Sequence, residues 1–346
     1  MTSPTSPSPS APLPGAGARP LAARLGGLLF FPVTAFGPDG ALDLDVFRTH
    51  VRQGIEAGAG AVFACCGTGE FHALTPGEFR ECVAAAVEEA DGRVPVVAGA
   101  GYGTALARQF AQLAEEAGAD GLLAMPPYLV VPSQDGLLRH YTALARATRL
   151  EVVVYQRDNA VLTPDTVTRL AATPGIAGLK DGHGDLDLMQ RIISAVRTGL
   201  PGETAASFRY FNGLPTAEQT GLAYRALGVT LYSSAVFCFA PEVALAFHRA
   251  LTTGDDATVR LLLDGFFHPL VELRDQGRGY AVSLVKAGVR LRGTDVGEVR
   301  PPLTEPAPAH VDRLAELIER GLALVSDGGG AGEGGPGEDG PGGGGE

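Results

Sequence analysis

A chain of 346 residues with 45% hydrophobic and 19% charged residues is long enough for one large domain or two ordinary ones, each with its own core. The formal charge of −12 falls to −7 without the five acids of the C-terminal tail, which leaves no basic footprint for nucleic acid. No apolar run approaches the roughly 18 residues of a membrane span, and the N-terminus lacks the basic start and apolar core of a signal peptide, so no membrane partner and a cytoplasmic location are expected.

Residues 1–20 are rich in Ser and Pro and read as a disordered tail. From about residue 25 short apolar runs alternate with helical patterns. Strands are expected at 27–34, 61–66, 94–99, 121–126, 150–156, 175–180, 203–208 and 229–236, each followed by an amphipathic segment. Helix starts are marked by Thr75-Pro76 with Glu78, by Ser133, and by Thr163-Pro164. Eight such units in about 225 residues predict an α/β fold, a (β/α)8 TIM barrel over 25–252. Three further helical patterns predict a C-terminal helical extension over 253–325, and the Gly-rich acidic segment 326–346 reads as a second disordered tail.

Of 27 basic residues only two are lysines, Lys180 and Lys286. A solvated cation could be either basic type, but an amine that must lose its proton and attack a carbonyl has to be lysine. Lys180 falls at the end of the sixth predicted strand, where a barrel carries its chemistry, and Tyr155 falls near the end of the fifth. This pairs a Schiff-base amine with a phenol able to relay protons, and an ion pair with a carboxylate is the alternative for Lys180. Lys286 lies within a helical pattern and reads as a solvated or snorkelling side chain. In CGTGEF, Gly67 lets backbone N–H groups approach an anion and Thr68 adds a hydroxyl donor.

Other motifs carry less. AGAGYGT has Thr104 where a dinucleotide fingerprint has its third glycine, and Asp120 precedes a strand rather than ending one. Asp181, His183 and Asp185 open a helix, where capping explains them better than a metal. Cys65, Cys66, Cys82 and Cys238 match no zinc spacing and read as packed thiols.

With these residues in view, the chain resembles the dihydrodipicolinate synthase/N-acetylneuraminate lyase family over about residues 25–325. FPVTAF, GTGEF, AGAGYGTA, AGADGLLAMPPY, Tyr155, GLKDGHGD and LYSSAV carry the resemblance. It implies Schiff-base chemistry on a 2-oxo acid, no metal or added cofactor, and a homotetramer. The chain departs from the synthase pattern in having Gly67 in place of a threonine, Leu129 in place of a second tyrosine, and Ala160 in place of a carboxylate-binding arginine. Gly67 in G-T-G-E, the loop YQRDN and YSSAVF look instead like the branch of 5-dehydro-4-deoxyglucarate dehydratases. That likeness implies a small keto-diacid substrate losing water and CO2 in glucarate catabolism. One carboxylate would lie on Gly67–Thr68, and the distal groups toward Asn159 and Ser233–Ser234. Arg157 reads equally as a ligand or as a loop charge. The rival functions are a pyruvate-dependent class I aldolase or synthase and a non-catalytic sugar-acid-binding barrel.

Overall fold

The computed structural model describes residues 20–327, so both expected tails, apart from their innermost residues, lie outside the described residues. Eight parallel strands hydrogen-bond in sequence order and close on themselves, β1 pairing with both β2 and β8. They are β1 (Leu29–Phe30), β2 (Ala61–Ala64), β3 (Val96–Ala100), β4 (Gly121–Ala124), β5 (Glu151–Gln156), β6 (Ile176–Asp181), β7 (Arg209–Asn212) and β8 (Leu231–Ser234). The fold is a (β/α)8 barrel.

A short helix, α1 (Leu21–Arg24), precedes the first strand, and the helices between strands are α2 (Leu44–Glu56), α3 (Pro76–Ala90), α4 (Thr104–Glu116), α5 (Gln134–Ala145) and α6 (Pro164–Ala171). They continue with α7 (Leu186–Gly199), α8 (Gly202–Ser207) and α9 (Gly221–Ala226), and α10 (Pro241–Thr253) follows β8. The extension consists of α11 (Asp256–Leu262), a π-turn (Leu263–Phe267), α12 (His268–Arg274), α13 (Tyr280–Leu291) and α14 (Pro308–Asp327). Thr75 and Glu78 form a full capping box on α3, while Ser133 and Thr163 cap α5 and α6, each such cap contributing about 1 kcal/mol.

Strand alternation separates two cores. Leu29, Phe63, Val97, Val153, Phe211 and Leu231 fill the barrel, whereas the larger cluster lies between the sheet and the helices. Leu21 and Leu25 join the inner cluster and plug one end. There the Leu21 N–H donates to the Glu151 carboxylate, and Asp120 binds Arg24 and accepts from the Val96 N–H at 2.8 Å. Asp120 is thus a structural acid at the plugged end.

The seventh strand corrects the sequence reading. ETAASF, expected as a strand over 203–208, contributes most of α8, and the strand is RYFN immediately after it. Ala and Ser carry little β preference, while Tyr210 and Phe211 offer the aromatic bulk a barrel wall needs. The shift puts Gly213–Thr216 at the open end of the barrel.

Candidate active site

Tyr155 and Lys180 are register partners across β5 and β6, and both emerge into the barrel at its open end. The Lys180 Nζ lies 4.0 Å from the centroid of the Tyr155 ring and 4.9 Å from that of Phe31. The Tyr155 hydroxyl donates to the Gly213 carbonyl at 2.9 Å. Two glycines make room for the pair. A Cβ on Gly213 would stand 2.6 Å from Lys180 Cγ, and one on Gly182 would stand 2.7 Å from the Tyr155 oxygen. Lys180 is 5% exposed, and among the described residues no carboxylate forms an ion pair with it.

The ion pair foreseen as an alternative for Lys180 belongs to Lys286 instead. Its Nζ is 3.1 Å from Glu70 Oε1, with both side chains wholly buried. The expectation of a solvated or snorkelling Lys286 is therefore wrong. A helical pattern from sequence does not show that residues 216 positions apart bring an acid to that face.

Lys180 opens onto a cavity of about 290 Å³. Its wall includes Gly67, Thr68, Tyr155, Arg157 and Ser233, so five of the expected site residues meet Lys180 there. Two others do not. Asn159 donates its amide to the carbonyls of Pro127, at 2.8 Å, and Val130, and it is not on the cavity wall. Ser234 follows the inward-facing Ser233 and turns to the outer side of β8, where its Oγ accepts from the Phe237 N–H at 3.2 Å. The period of two along a strand separates the adjacent serines.

The wall also contains residues that the sequence reading missed. Pro215 and Thr216 come from the loop after β7, and Arg274, Tyr280 and Val285 come from the extension, which covers the barrel mouth. Arg274 donates to the Pro215 carbonyl at 3.1 Å and to Thr216 Oγ1 at 2.9 Å, and it pairs with Asp275. A correct seventh strand would have pointed to Gly213–Thr216. Nothing in a helical pattern marks Arg274.

The electrostatics of the wall are one-sided. Lys180, Arg157 and Arg274 line the cavity, and among the described residues no Asp or Glu does, although the chain as a whole is strongly acidic. Burial works against the Arg157 charge, but Tyr155 and Asp158 beside it hold its pKa above the ordinary value. Cys66, in the barrel core, is pushed up to about 12 by burial, with the Lys180 charge pulling the other way, so it remains a thiol.

The acids after β6 serve the backbone. Asp181 accepts from Gln156 Nε2 at 2.8 Å, from the His183 N–H at 2.9 Å, and from the Tyr224 hydroxyl; Asp185 caps α7 through the Leu188 N–H at 2.9 Å.

The chain is 74% identical over 314 residues to the probable 5-dehydro-4-deoxyglucarate dehydratase 1 of Streptomyces coelicolor, covering 90% of this chain and 98% of that protein. It is 47% identical over 301 residues to a probable 5-dehydro-4-deoxyglucarate dehydratase of Bradyrhizobium diazoefficiens, covering 87% and 93%. Among solved structures, the dihydrodipicolinate synthase of Bacillus clausii superposes with a TM-score of 0.79 at 25% identity, covering 87% of this chain and 99% of that one. The dihydrodipicolinate synthetase family model matches residues 24–320. With the barrel, the lysine–tyrosine pair at its mouth and these likenesses in agreement, the chain belongs to the dihydrodipicolinate synthetase family.

Proposed function

We propose that the protein is a decarboxylating 5-dehydro-4-deoxyglucarate dehydratase, a hydro-lyase that converts its keto-diacid to 2,5-dioxopentanoate, CO2 and water through a Schiff base on Lys180. The observation that carries this reading is an amine without a carboxylate partner, opening onto a cavity whose wall adds two arginines and, among the described residues, no acid. A dianion with a ketone suits such a wall. The names of the relatives point to the same substrate.

In this reading the Lys180 amine attacks the C5 ketone and water leaves, giving an iminium. The iminium makes the C4 proton acidic; Tyr155, or a water it holds, removes that proton. The electron pair returns from the enamine and expels the C3 hydroxyl, which takes up a proton to leave as water. The resulting C3–C4 double bond, conjugated with the iminium, extends the electron sink to C2. The C1–C2 bond then breaks, CO2 departs, and its electrons are drawn toward the iminium nitrogen. Protonation and hydrolysis return the amine and release the product, with C2 now an aldehyde. The protonated imine supplies the electrophile, so the steps call for no metal or added cofactor.

The C6 carboxylate fits the Gly67–Thr68 turn, and Ser233 and Arg157 are available to the distal end; Asn159 and Ser234, spent elsewhere, are not. Ala160, which stands where the synthase pattern has its carboxylate-binding arginine, is buried and off the cavity wall. We place the enzyme in glucarate catabolism, in the cytoplasm, and as a homotetramer.

Borohydride trapping with the keto-diacid, and separately with pyruvate, tests the reading when combined with peptide mapping and a CO2 assay. A reduced adduct on Lys180 with CO2 from the keto-diacid is expected. An adduct with pyruvate and no CO2 from the keto-diacid would move the function to an aldolase or synthase. No adduct on Lys180 with either would overturn the Schiff base.

A further inference from the structure

The chemistry above uses one of the two lysines. Lys286 on α13 is also enclosed, but its Nζ is committed to Glu70 Oε1 at 3.1 Å and to the Glu298 carbonyl at 2.6 Å, and it stands 4.3 Å from the centroid of the Phe36 ring. It is not on the cavity wall, although its neighbours Leu284 and Val285 are. Its partner connects it to the site. Glu70 follows Gly67, Thr68 and Gly69, and its second oxygen accepts from the Arg300 N–H at 2.9 Å. Glu70 has φ of 53°, in the left-handed region, which costs a non-glycine residue energy unless its surroundings hold it there. The turn is also pinned from its other side, where Thr34 Oγ1 donates to the Gly69 carbonyl at 2.7 Å.

We infer that Lys286 is a positioning residue: through Glu70 it holds the Gly67–Thr68 turn in the shape that receives the keto-acid carboxylate, and ties that turn to the extension that covers the cavity. The inference rests on the reading that this turn binds that carboxylate. Stability alone gives little reason for the pair. Well-packed apolar residues commonly serve as well as a buried ion pair, whereas removing one partner leaves an uncompensated charge. What the pair adds is direction. The ammonium fixes the carboxylate, and the carboxylate belongs to a residue two positions from Thr68. Lys286 and the Arg300 N–H approach Glu70 from either side of Glu298, so the two segments of the extension converge on one acid.

This separates positioning from stabilisation experimentally. Lys286→Met alone is expected to lower Tm, because Glu70 is left buried without its cation. The double variant Glu70→Gln with Lys286→Met removes both charges and is expected to recover much of that loss. If the pair positions the turn, KM for the keto-diacid in the double variant stays raised by about tenfold or more while kcat changes little, the pattern of a lost binding interaction. A double variant with both Tm and KM of the unsubstituted protein overturns the inference. Should the Met variants fail to fold, Lys286→Arg reads the same quantity, since it keeps the charge but replaces a compact ammonium by a planar guanidinium. A several-fold rise in KM is expected there, and an unchanged KM counts against the inference. Borohydride trapping of Lys180 at saturating keto-diacid should persist in each folded variant. Loss of trapping in the unsubstituted protein would instead strike at the Schiff base, so the two failures are distinguishable.

Discussion

The Tyr155 ring lies under the Lys180 amine, and its hydroxyl donates a hydrogen bond to the Gly213 carbonyl at 2.9 Å. Tyr155→Phe keeps the ring and removes only the hydroxyl. The fold should lose about 1 kcal/mol, the ordinary cost of one hydrogen bond. If the hydroxyl moves the C4 proton, kcat should fall about 10²- to 10⁴-fold with a smaller change in KM, and rapid-quench trapping should still label Lys180. A variant with kcat within twofold of the unsubstituted enzyme would remove Tyr155 from the proton path. At this scale the sequence was most informative where chemistry restricts the residue type. A scarce lysine at one strand end and a tyrosine at the neighbouring one could be read from the sequence alone. Asn159 and Ser234 were less legible because Ser234 adjoins Ser233 and Asn159 lies two positions from Arg157, both wall residues, and side-chain direction decides which of them reaches the cavity. Lys286 was not legible, since its acid comes from the other end of the chain.

At the scale of elements, the apolar strands and capped helices could be read from composition and turn residues, with the exception around β7. There a short Ala-rich helix interrupts the expected alternation, and local preference alone does not say which of two adjacent segments faces a barrel. The turn after β7, Ala217–Thr220, carries an acid with an unusual setting. Glu218 is wholly buried, and neither of its oxygens has a hydrogen-bond partner among the described residues; the Tyr232 hydroxyl and His248 Nδ1 are likewise without one. Burial pushes the Glu218 carboxyl up to about 7. A folded pKa above the unfolded value of 4.5 means that the native state holds the proton more tightly. This contribution to stability is fully present below pH 4.5, is lost as pH rises toward 7, and is gone above it. Glu218→Gln is neutral throughout, so its stability relative to the unsubstituted protein should grow across that window, by on the order of 3 kcal/mol in total. Denaturant unfolding of both proteins at a series of pH values reads the difference. Parallel curves would mean that Glu218 does not carry a raised pKa.

At the scale of the whole molecule, barrel and extension share one apolar cluster that runs from Phe30 and Val62 to Leu314 and Leu317, so the cover over the active site is part of the same core as the strands beneath it. One apolar surface has no such partner among the described residues. Tyr128, Leu129, Val130 and Val131 follow one another after β4 and are 65%, 83%, 52% and 92% exposed. A consecutive run of this kind is unusual on a monomer. It is also held in shape, because Asn159 fastens the carbonyls of Pro127 and Val130 and the Tyr128 ring meets Tyr102 edge-on at 6.2 Å between centroids. A fixed loop loses little conformational freedom on binding, which favours association. Four residues fall short of the roughly 800 Å² per partner of a stable interface, so they would form its apolar centre, with flanking surface completing it. Light scattering should therefore give a multiple of the chain mass, four in the proposed assembly. Leu129→Asp with Val131→Asp should lower that mass without unfolding the barrel, since both side chains project into solvent in the single chain. A monomeric unsubstituted protein would refute the assembly, and an unchanged mass in the double variant would place its interface elsewhere. The same loop borders the open end of the barrel, so dissociation that also raises KM would show that a second copy helps to shape the site.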